Sequence, residues 1–308
     1  MITKYKWKTH DEWLNLRKAY IGGSEAGSII GMNPYKSAYT LWAEKTGRAL
    51  PFEGNITTEV GAYLEEFVAK KFEHETGKKV RRENFMLVND KYPWAEANVD
   101  RMVVGEKALL EIKTTNSFPN MKKIKGGEFP DAWYAQMTHY LAVTELERAY
   151  LAVLVNCREI HFFTLERDEE EIQALMEQEK RFKHYIDTDA EPPVDGSDST
   201  TDTIAEMYPD DNGTTVSLIG YENDLRQYLD ITQNIRDLEA LKKEKINKIK
   251  AFMGAAENGE SDNFKCTWKT GNRNSFDVKA FTQDHPDIDL SGYYKTSQYR
   301  TFRINERK

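Results

Sequence analysis

In residues 58–76 (TEVGAYLEEFVAKKFEHET) the apolar positions Val60, Leu64, Phe67, Val68 and Phe72 recur at helical spacing, which predicts a helix with one apolar face. Upstream, Trp13 to Arg17 belongs to a short amphipathic segment. The stretch IGGSEAGSIIGMNPY follows, with Ser24 as candidate N-cap of a helix over roughly 25–30 that Asn33-Pro34 ends. Ser37 is the candidate cap of a second helix, AYTLWAEKTG, stopped at Gly47. Residues 131–144 and 168–187 predict two more helices. Strand-like runs occupy 83–89 and 97–114, and RAYLAVLVN with REIHFFTLE predicts a strand pair.

The pattern then changes. Residues 187–216 are acidic, contain Pro and are poor in large apolar groups, which predicts a linker or surface connection over 191–220. Beyond it, 221–253 lacks Gly and Pro and spaces Leu225, Leu229, Ile235, Leu238, Leu241, Ile249 and Phe252 near helical intervals. A helix of about 30 residues spans about 45 Å, long for one globular face, so a second helix or another subunit is expected against it. KCTWKTGNRNSFDVKAF and YYKTSQYRTFRI predict a small β element rich in Lys, Arg and Tyr. The expected organisation is a core over 1–190, a connection over 191–220 and a carboxy-terminal appendage over 221–308.

Composition narrows the class. With 308 residues, 39% hydrophobic and 12% aromatic, the chain can bury a sizeable core. Cys157 and Cys266 lie far apart with no Cys-x-x-Cys pattern, which fits a reducing compartment. The same count argues against a disulfide scaffold, a structural zinc or a four-cysteine iron–sulfur cluster. The amino terminus has no apolar signal core and no run approaches membrane-span length, so a soluble cytoplasmic protein with no membrane partner is expected. A net charge of -8 by itself discourages a nucleic-acid ligand. Binding depends on where basic groups sit, however, and KKVRR (78–82), MKKIKGG (121–127) and LKKEKINKIK (241–250) are local basic clusters. Each is more simply read as a solvated face.

Candidate chemistry concentrates in NVDRMVVGEKALLEIKTT, from Asn98 to Thr115, where Asp100, Glu111 and Lys113 interrupt an apolar run. Gly105-Glu106 between two β-like stretches signals a two-residue type II′ hairpin. Val104 would then pair with Lys107, and the same register sets Asp100 across from Glu111 and Asn98 across from Lys113. Alternation puts Glu111 and Lys113 on one face and Ile112 on the other. Facing side chains have Cβ atoms about 4.5–5.5 Å apart, where two carboxylates repel. A divalent cation reverses that repulsion, and Mg²⁺ or Mn²⁺ prefers carboxylate, carbonyl and water oxygens. A metal there could bind a scissile phosphate and lower the pKa of a coordinated water. Lys113 could orient or deprotonate that water, or stabilise charge developing on phosphorus. On spacing alone a solvated surface hairpin remains an alternative, and a bulge would break the pairing.

Two helix positions add weight. Glu65 borders the apolar stripe one turn from Val68, with Gly61 leaving room above it, whereas Glu66 and Glu73 lie on the polar side. Gln136 shares a face with Trp133, Met137 and Tyr140 and points inward, either as a satisfied core amide or to orient a water or ligand. His139 beside it reads as structural.

The order Glu65, Asp100, Glu111-Ile112-Lys113 and Gln136 in WYAQMTHYL resembles the core of the PD-(D/E)XK nucleases, and within them the lambda-exonuclease-like (YqaJ-type) viral recombinases. WLNLRKAYIGGSEAGSIIG is similar to that family's amino-terminal motif, and VGAYLEEFVAKKFEHETG to its Gly-x(3)-Glu helix. The resemblance covers roughly 10–165 in four ordered motifs; Val99 stands where the family has Pro.

The resemblance implies an α/β fold, a central mixed β-sheet flanked by helices, followed here by the long helix and small β appendage. It implies a phage or prophage recombination exonuclease, acting 5′ to 3′ on double-stranded DNA ends with Mg²⁺, or Mn²⁺ as a substitute. Asp100, Glu111 and the Ile112 carbonyl would be the metal ligands, Lys113 would activate water, and Glu65 and Gln136 would complete the site. Arg17 and Ser24 match the positions that hold the terminal 5′-phosphate; an Arg fork and a capped helix start both favour phosphate. Family members form homo-oligomeric rings and work with a single-strand annealing recombinase, in the cytoplasm of a bacterial host. The alternatives are another PD-(D/E)XK endonuclease, since the core does not dictate end dependence, and a non-catalytic DNA-binding or scaffold module.

Overall fold

Short strands and helices alternate at the amino-terminal end: β1 (Ile2–Tyr5), α1 (His10–Lys18), β2 (Ile21–Gly22), α2 (Gly23–Ile29), α3 (Ala38–Lys45) and α4 (Ile56–Thr76). Five strands come next, β3 (Val80–Arg82), β4 (Met86–Asn89), β5 (Ala95–Ala97), β6 (Arg101–Val103) and β7 (Ala108–Thr115). Then follow α5 (Phe118–Lys125), α6 (Asp131–Thr144), β8 (Arg148–Val155), β9 (Glu159–Glu166), α7 (Glu169–Thr188) and α8 (Asp198–Met207). The computed structural model describes residues 1–296 and 299–304, and all of these elements belong to one unit, Met1–Tyr208.

A five-stranded sheet, order β3-β6-β7-β8-β9, is the centre of this unit. It is mixed: β7 and β8 run parallel, and the other neighbours are antiparallel. Val68 and Phe72 of α4 pack in one cluster with Leu110, Ile112, Ala152 and Leu154 on one face. Met137 and Leu141 of α6 pack with Leu109, Leu151 and Val153 on the other. This is the helix-flanked mixed sheet expected. A second sheet, β1-β4-β5-β2, holds the amino-terminal strand.

Several local expectations meet the structure. The Ser37 hydroxyl caps α3 by accepting from the Thr40 N–H at 3.0 Å. Asn55 caps α4, whose end is turned by Gly77 at φ +72°. Helix α2 starts two residues earlier than expected: Gly22 is its N-cap, the Glu25 carboxylate accepts from the Gly22 N–H at 2.9 Å, and Ser24 sits inside the first turn instead of capping it. The apolar face of α4 is narrower than its sequence suggests. Leu64, Val68 and Phe72 meet the sheet, while Val60 and Phe67 stay exposed at 43% and 46% because they lie to the side of that contact line.

Residues 97–114 are not one hairpin. Ala95–Ala97 pairs with β2 and β4, and the chain crosses to the five-stranded sheet only at Arg101. The register of the β6–β7 hairpin is the expected one, with Arg101 opposite Leu110 and Met102 opposite Leu109. Its tip is looser than a two-residue turn: the ladder stops at Met102–Leu109, although Gly105 takes the positive φ, +82°, that the turn signal implies. Within the acidic stretch over 191–220, residues 198–207 form α8 and dock on α3 through hydroxyls. Thr40 Oγ1 lies 2.7 Å from Thr203 Oγ1, and Thr200 Oγ1 donates to Ser37 Oγ at 2.8 Å.

The second unit runs from Pro209 onward. Its long helix α9 (Glu222–Met253) has no buried residue among the described ones. A hairpin of β10 (Asn258–Glu260) and β11 (Lys265–Thr267) lies against the end of α9, with the Lys250 ammonium 5.3 Å from the Trp268 ring centre; α10 (Val278–Asp284) follows. Among the described residues no helix is long and apolar enough to cross a membrane.

Candidate active site

Alternation along β7 sets the centre. Leu110 and Ile112 face α4 and Leu109 faces α6, so Glu111 and Lys113 project to the α6 side, where Gln136 waits. Glu111 is only 3% exposed, and its two oxygens have different surroundings. Oε1 accepts from Gln136 Nε2 at 2.8 Å and lies 2.8 Å from Lys113 Nζ. Oε2 is buried with no hydrogen-bond partner among the described residues. Gln136 closes the ring, its Oε1 accepting from Lys113 Nζ at 2.8 Å while Nε2 also donates to the Tyr140 hydroxyl at 3.0 Å. One amide therefore fixes the orientation of both the carboxylate and the ammonium.

Asp100 precedes β6, and the hairpin register carries it to the end of β7 that holds Glu111. Its Oδ2 accepts from the Ile112 N–H at 2.8 Å, which anchors it there. Burial, then the charges of Glu111 and Glu65, push its carboxyl well above the usual range. For Lys113, burial pulls the ammonium down, but the charge and hydrogen bond of Glu111 outweigh it, and the net shift is upward. The centre sets two carboxyl groups against the single ammonium of Lys113.

These residues fit a hard divalent cation. An unpaired buried carboxylate oxygen is costly, and Glu111 Oε2 is one beside a second carboxylate. The available donors are all oxygens, as Mg²⁺ and Mn²⁺ prefer. Among the described residues no group of three or more His, Cys, Asp or Glu side chains is placed to hold a metal, so what could take one here is the two carboxylates of Asp100 and Glu111, with the Ile112 carbonyl as the expected third donor. Glu65 is near enough for its charge to act on Asp100, but it is engaged elsewhere. It comes from α4, across the sheet from Gln136, and its carboxylate bonds the buried Arg101 guanidinium. Arg101 also reaches Glu66 at 3.2 Å and the Asp100 carbonyl at 2.7 Å, so Glu65 braces the Asp100 backbone through it. Glu66, read as lying on the polar side, shares that guanidinium.

Arg17 and Ser24 form a second cluster. Arg17 Nη2 donates to Ser24 Oγ at 3.3 Å, and the guanidinium lies 4.7 Å from the Trp13 ring centre. Tyr140 bridges this cluster to the first. Its ring rests on Gly23 so closely that a Cβ there would lie 2.4 Å from Cε1, while its hydroxyl meets Gln136. His139 is structural, as expected. It is fully buried, with Nδ1 2.7 Å from Glu179 Oε1 and Nε2 2.7 Å from the Glu96 carbonyl oxygen. Burial lowers its pKa, but the Glu179 charge and hydrogen bond outweigh this and raise it.

Sequence reasoning missed Arg101, Glu96 and the bridging role of Tyr140. Each left a trace: a basic residue after Asp100, a carboxylate between two alanines of a strand, and an aromatic one turn beyond Gln136.

The chain is similar to known proteins in sequence and in fold. The YqaJ-like viral recombinase domain family matches residues 12–147, a span containing every candidate site residue. The chain is 35% identical over 312 residues to the uncharacterized protein YqaJ of Bacillus subtilis (strain 168), covering 99% of this chain and 97% of that protein. The alkaline exonuclease LHK-Exo from Laribacter hongkongensis has a similar fold, with a TM-score of 0.51 at 20% identity over 58% of this chain and 94% of that one. Its complex with dAMP gives a TM-score of 0.51 at 19% identity, over 58% of this chain and 94% of that one.

Proposed function

We propose, since the chain belongs to the YqaJ-like viral recombinase family, that it is a metal-dependent exonuclease degrading double-stranded DNA from its ends, 5′ to 3′, and leaving 3′ single strands. The observation that supports this most is the unpaired, buried Glu111 Oε2 beside Asp100 and Lys113. Asp100, Glu111 and the Ile112 carbonyl would hold Mg²⁺, with Mn²⁺ as a substitute; once bound, the cation would neutralise the scissile phosphate and acidify a water. Lys113 carries its proton at Nζ toward the same place, held by Gln136 and Glu111, and there orients the attacking water and offsets negative charge developing on the phosphate. Glu65 keeps the Asp100 backbone in place through Arg101. Arg17 and Ser24 hold the terminal 5′-phosphate, and the Tyr140 bridge fixes their spacing from the reacting bond.

A homo-oligomeric ring around the DNA, a single-strand annealing recombinase loading on the 3′ strand, and a place in the cytoplasm of a phage- or prophage-bearing bacterium belong to the same proposal. The test is nucleotide release from linear and covalently closed duplexes, with Mg²⁺ and with chelator. Release from linear DNA alone, and only with metal, is expected. Comparable digestion of closed circles would replace the exonuclease with an endonuclease.

A further inference from the structure

We infer that Glu96 is a positioning residue that fixes Arg17 by its Nε edge, leaving the remaining guanidinium nitrogens and Ser24 aimed at the terminal 5′-phosphate. The inference rests on the reading of Arg17 and Ser24 as the holders of that phosphate.

Glu96 is 1% exposed and sits in β5 between Ala95 and Ala97, both fully buried. A carboxylate in such a place needs partners, and removing one leaves the other charge uncompensated. Its Oε1 lies 3.4 Å from Arg17 Nε, and its Oε2 accepts from Asn98 Nδ2 at 2.6 Å. The backbone is pinned as well, since His139 Nε2 is 2.7 Å from the Glu96 carbonyl oxygen. The nearby carboxylate of Glu25 does not compete for Arg17, because Lys45 Nζ holds it at 2.9 Å. Arg17 is thus fixed on one edge by a rigid carboxylate and on one face by the Trp13 indole.

Gly22 makes the pair possible. A Cβ there would lie 2.7 Å from Glu96 Oε1 and 3.2 Å from Arg17 Nη2. Its backbone, at φ -93°, would suit any residue, so the space and not the conformation calls for glycine. The two glycines of IGGSE therefore serve separate ends, Gly22 admitting the Arg17–Glu96 pair and Gly23 the Tyr140 ring. With its positive charge offset by the Glu96 carboxylate, Arg17 distinguishes phosphate by aligned donors more than by bulk charge.

The test measures kcat and KM on linear duplexes with 5′-phosphorylated or 5′-hydroxyl ends, for the full-length wild type, Arg17→Ala, Glu96→Gln and the double variant. The preference for phosphorylated ends should fall by about tenfold in Arg17→Ala and by about threefold to tenfold in Glu96→Gln, mainly through KM, with no further loss in the double variant. No preference in the wild type, or an undiminished one in Arg17→Ala, would overturn the phosphate reading and this inference with it. A loss in Arg17→Ala with Glu96→Gln within about twofold of wild type would overturn the role of Glu96 alone. So would a loss from Glu96→Gln that is just as large when Arg17 is already absent. Should Glu96→Gln fail to fold, Glu96→Asp takes its place with the same outcomes, because the shorter side chain draws the carboxylate back from Arg17 Nε.

Discussion

A methyl group added at Gly23 probes how tightly α2 is fitted to the site. The alanine Cβ would lie 2.4 Å from Tyr140 Cε1, 2.9 Å from Cδ1 and 3.0 Å from Cζ. Tyr140 has little room to yield: it is 4% exposed, belongs to the main apolar cluster, and its hydroxyl is tied to Gln136 at 3.0 Å. Either the ring leaves its rotamer or α2 lifts from α6, and overpacking of this kind costs about 1–3 kcal/mol. In a unit of this size each kcal/mol lowers the unfolding midpoint by about 2–4 °C, so thermal unfolding followed by near-UV circular dichroism should show a drop of about 2–12 °C. Tyr140 leads through Gln136 to Glu111 and Lys113, so cleavage well below the midpoint should fall too, by about tenfold to a hundredfold. A midpoint within about 1 °C of wild type together with undiminished cleavage would refute the tight seating of α2 on Tyr140.

Asp100→Ala and Lys113→Ala should each abolish cleavage while near-UV circular dichroism stays native; full activity in either refutes its assignment. Added Mg²⁺ should raise the unfolding midpoint of the wild type, by the equivalent of about 2.7 kcal/mol at a hundredfold excess over Kd, and not that of Glu111→Gln. An equal rise in both would place the cation elsewhere. The folded pKa of His139 is raised, so the stability it gains from Glu179 is complete below about pH 6.5 and is lost as pH rises through the folded value. His139→Gln should flatten the decline of unfolding free energy above neutrality in a denaturant series, and an unchanged slope would assign that decline to other groups.

The site was legible where local rules decide it. Gly105 and the alternation of β7 fix the hairpin register, which leads Asp100 toward Glu111, and the Ile112 N–H then holds it there. Gln136 was legible because the face it shares with Met137 and Tyr140 has to point inward. What escaped depends on contacts distant in sequence. Whether residues 95–97 join the strand after them or a separate sheet is decided by Ile21 pairing with Ala95, which no local pattern encodes. Arg101 meets Glu65 only because α4 crosses the sheet opposite α6. Helix α8 hides in an acidic stretch because Ser and Thr hydroxyls make much of its docking, and Ile204 and Met207 are the only large apolar residues it adds to the cluster beneath it.

In the function proposed, Asp100, Glu111 and Lys113 form a metal-dependent centre that consumes duplex DNA from its 5′ ends. A time course on linear duplexes labelled at the 5′ or the 3′ end, with Mg²⁺ and with chelator, tests it most directly. Early release of the 5′ label as mononucleotide, a 3′ label retained on shortening strands, and no release of either with chelator are expected. Earlier release of the 3′ label, or release undiminished by chelator, would contradict it.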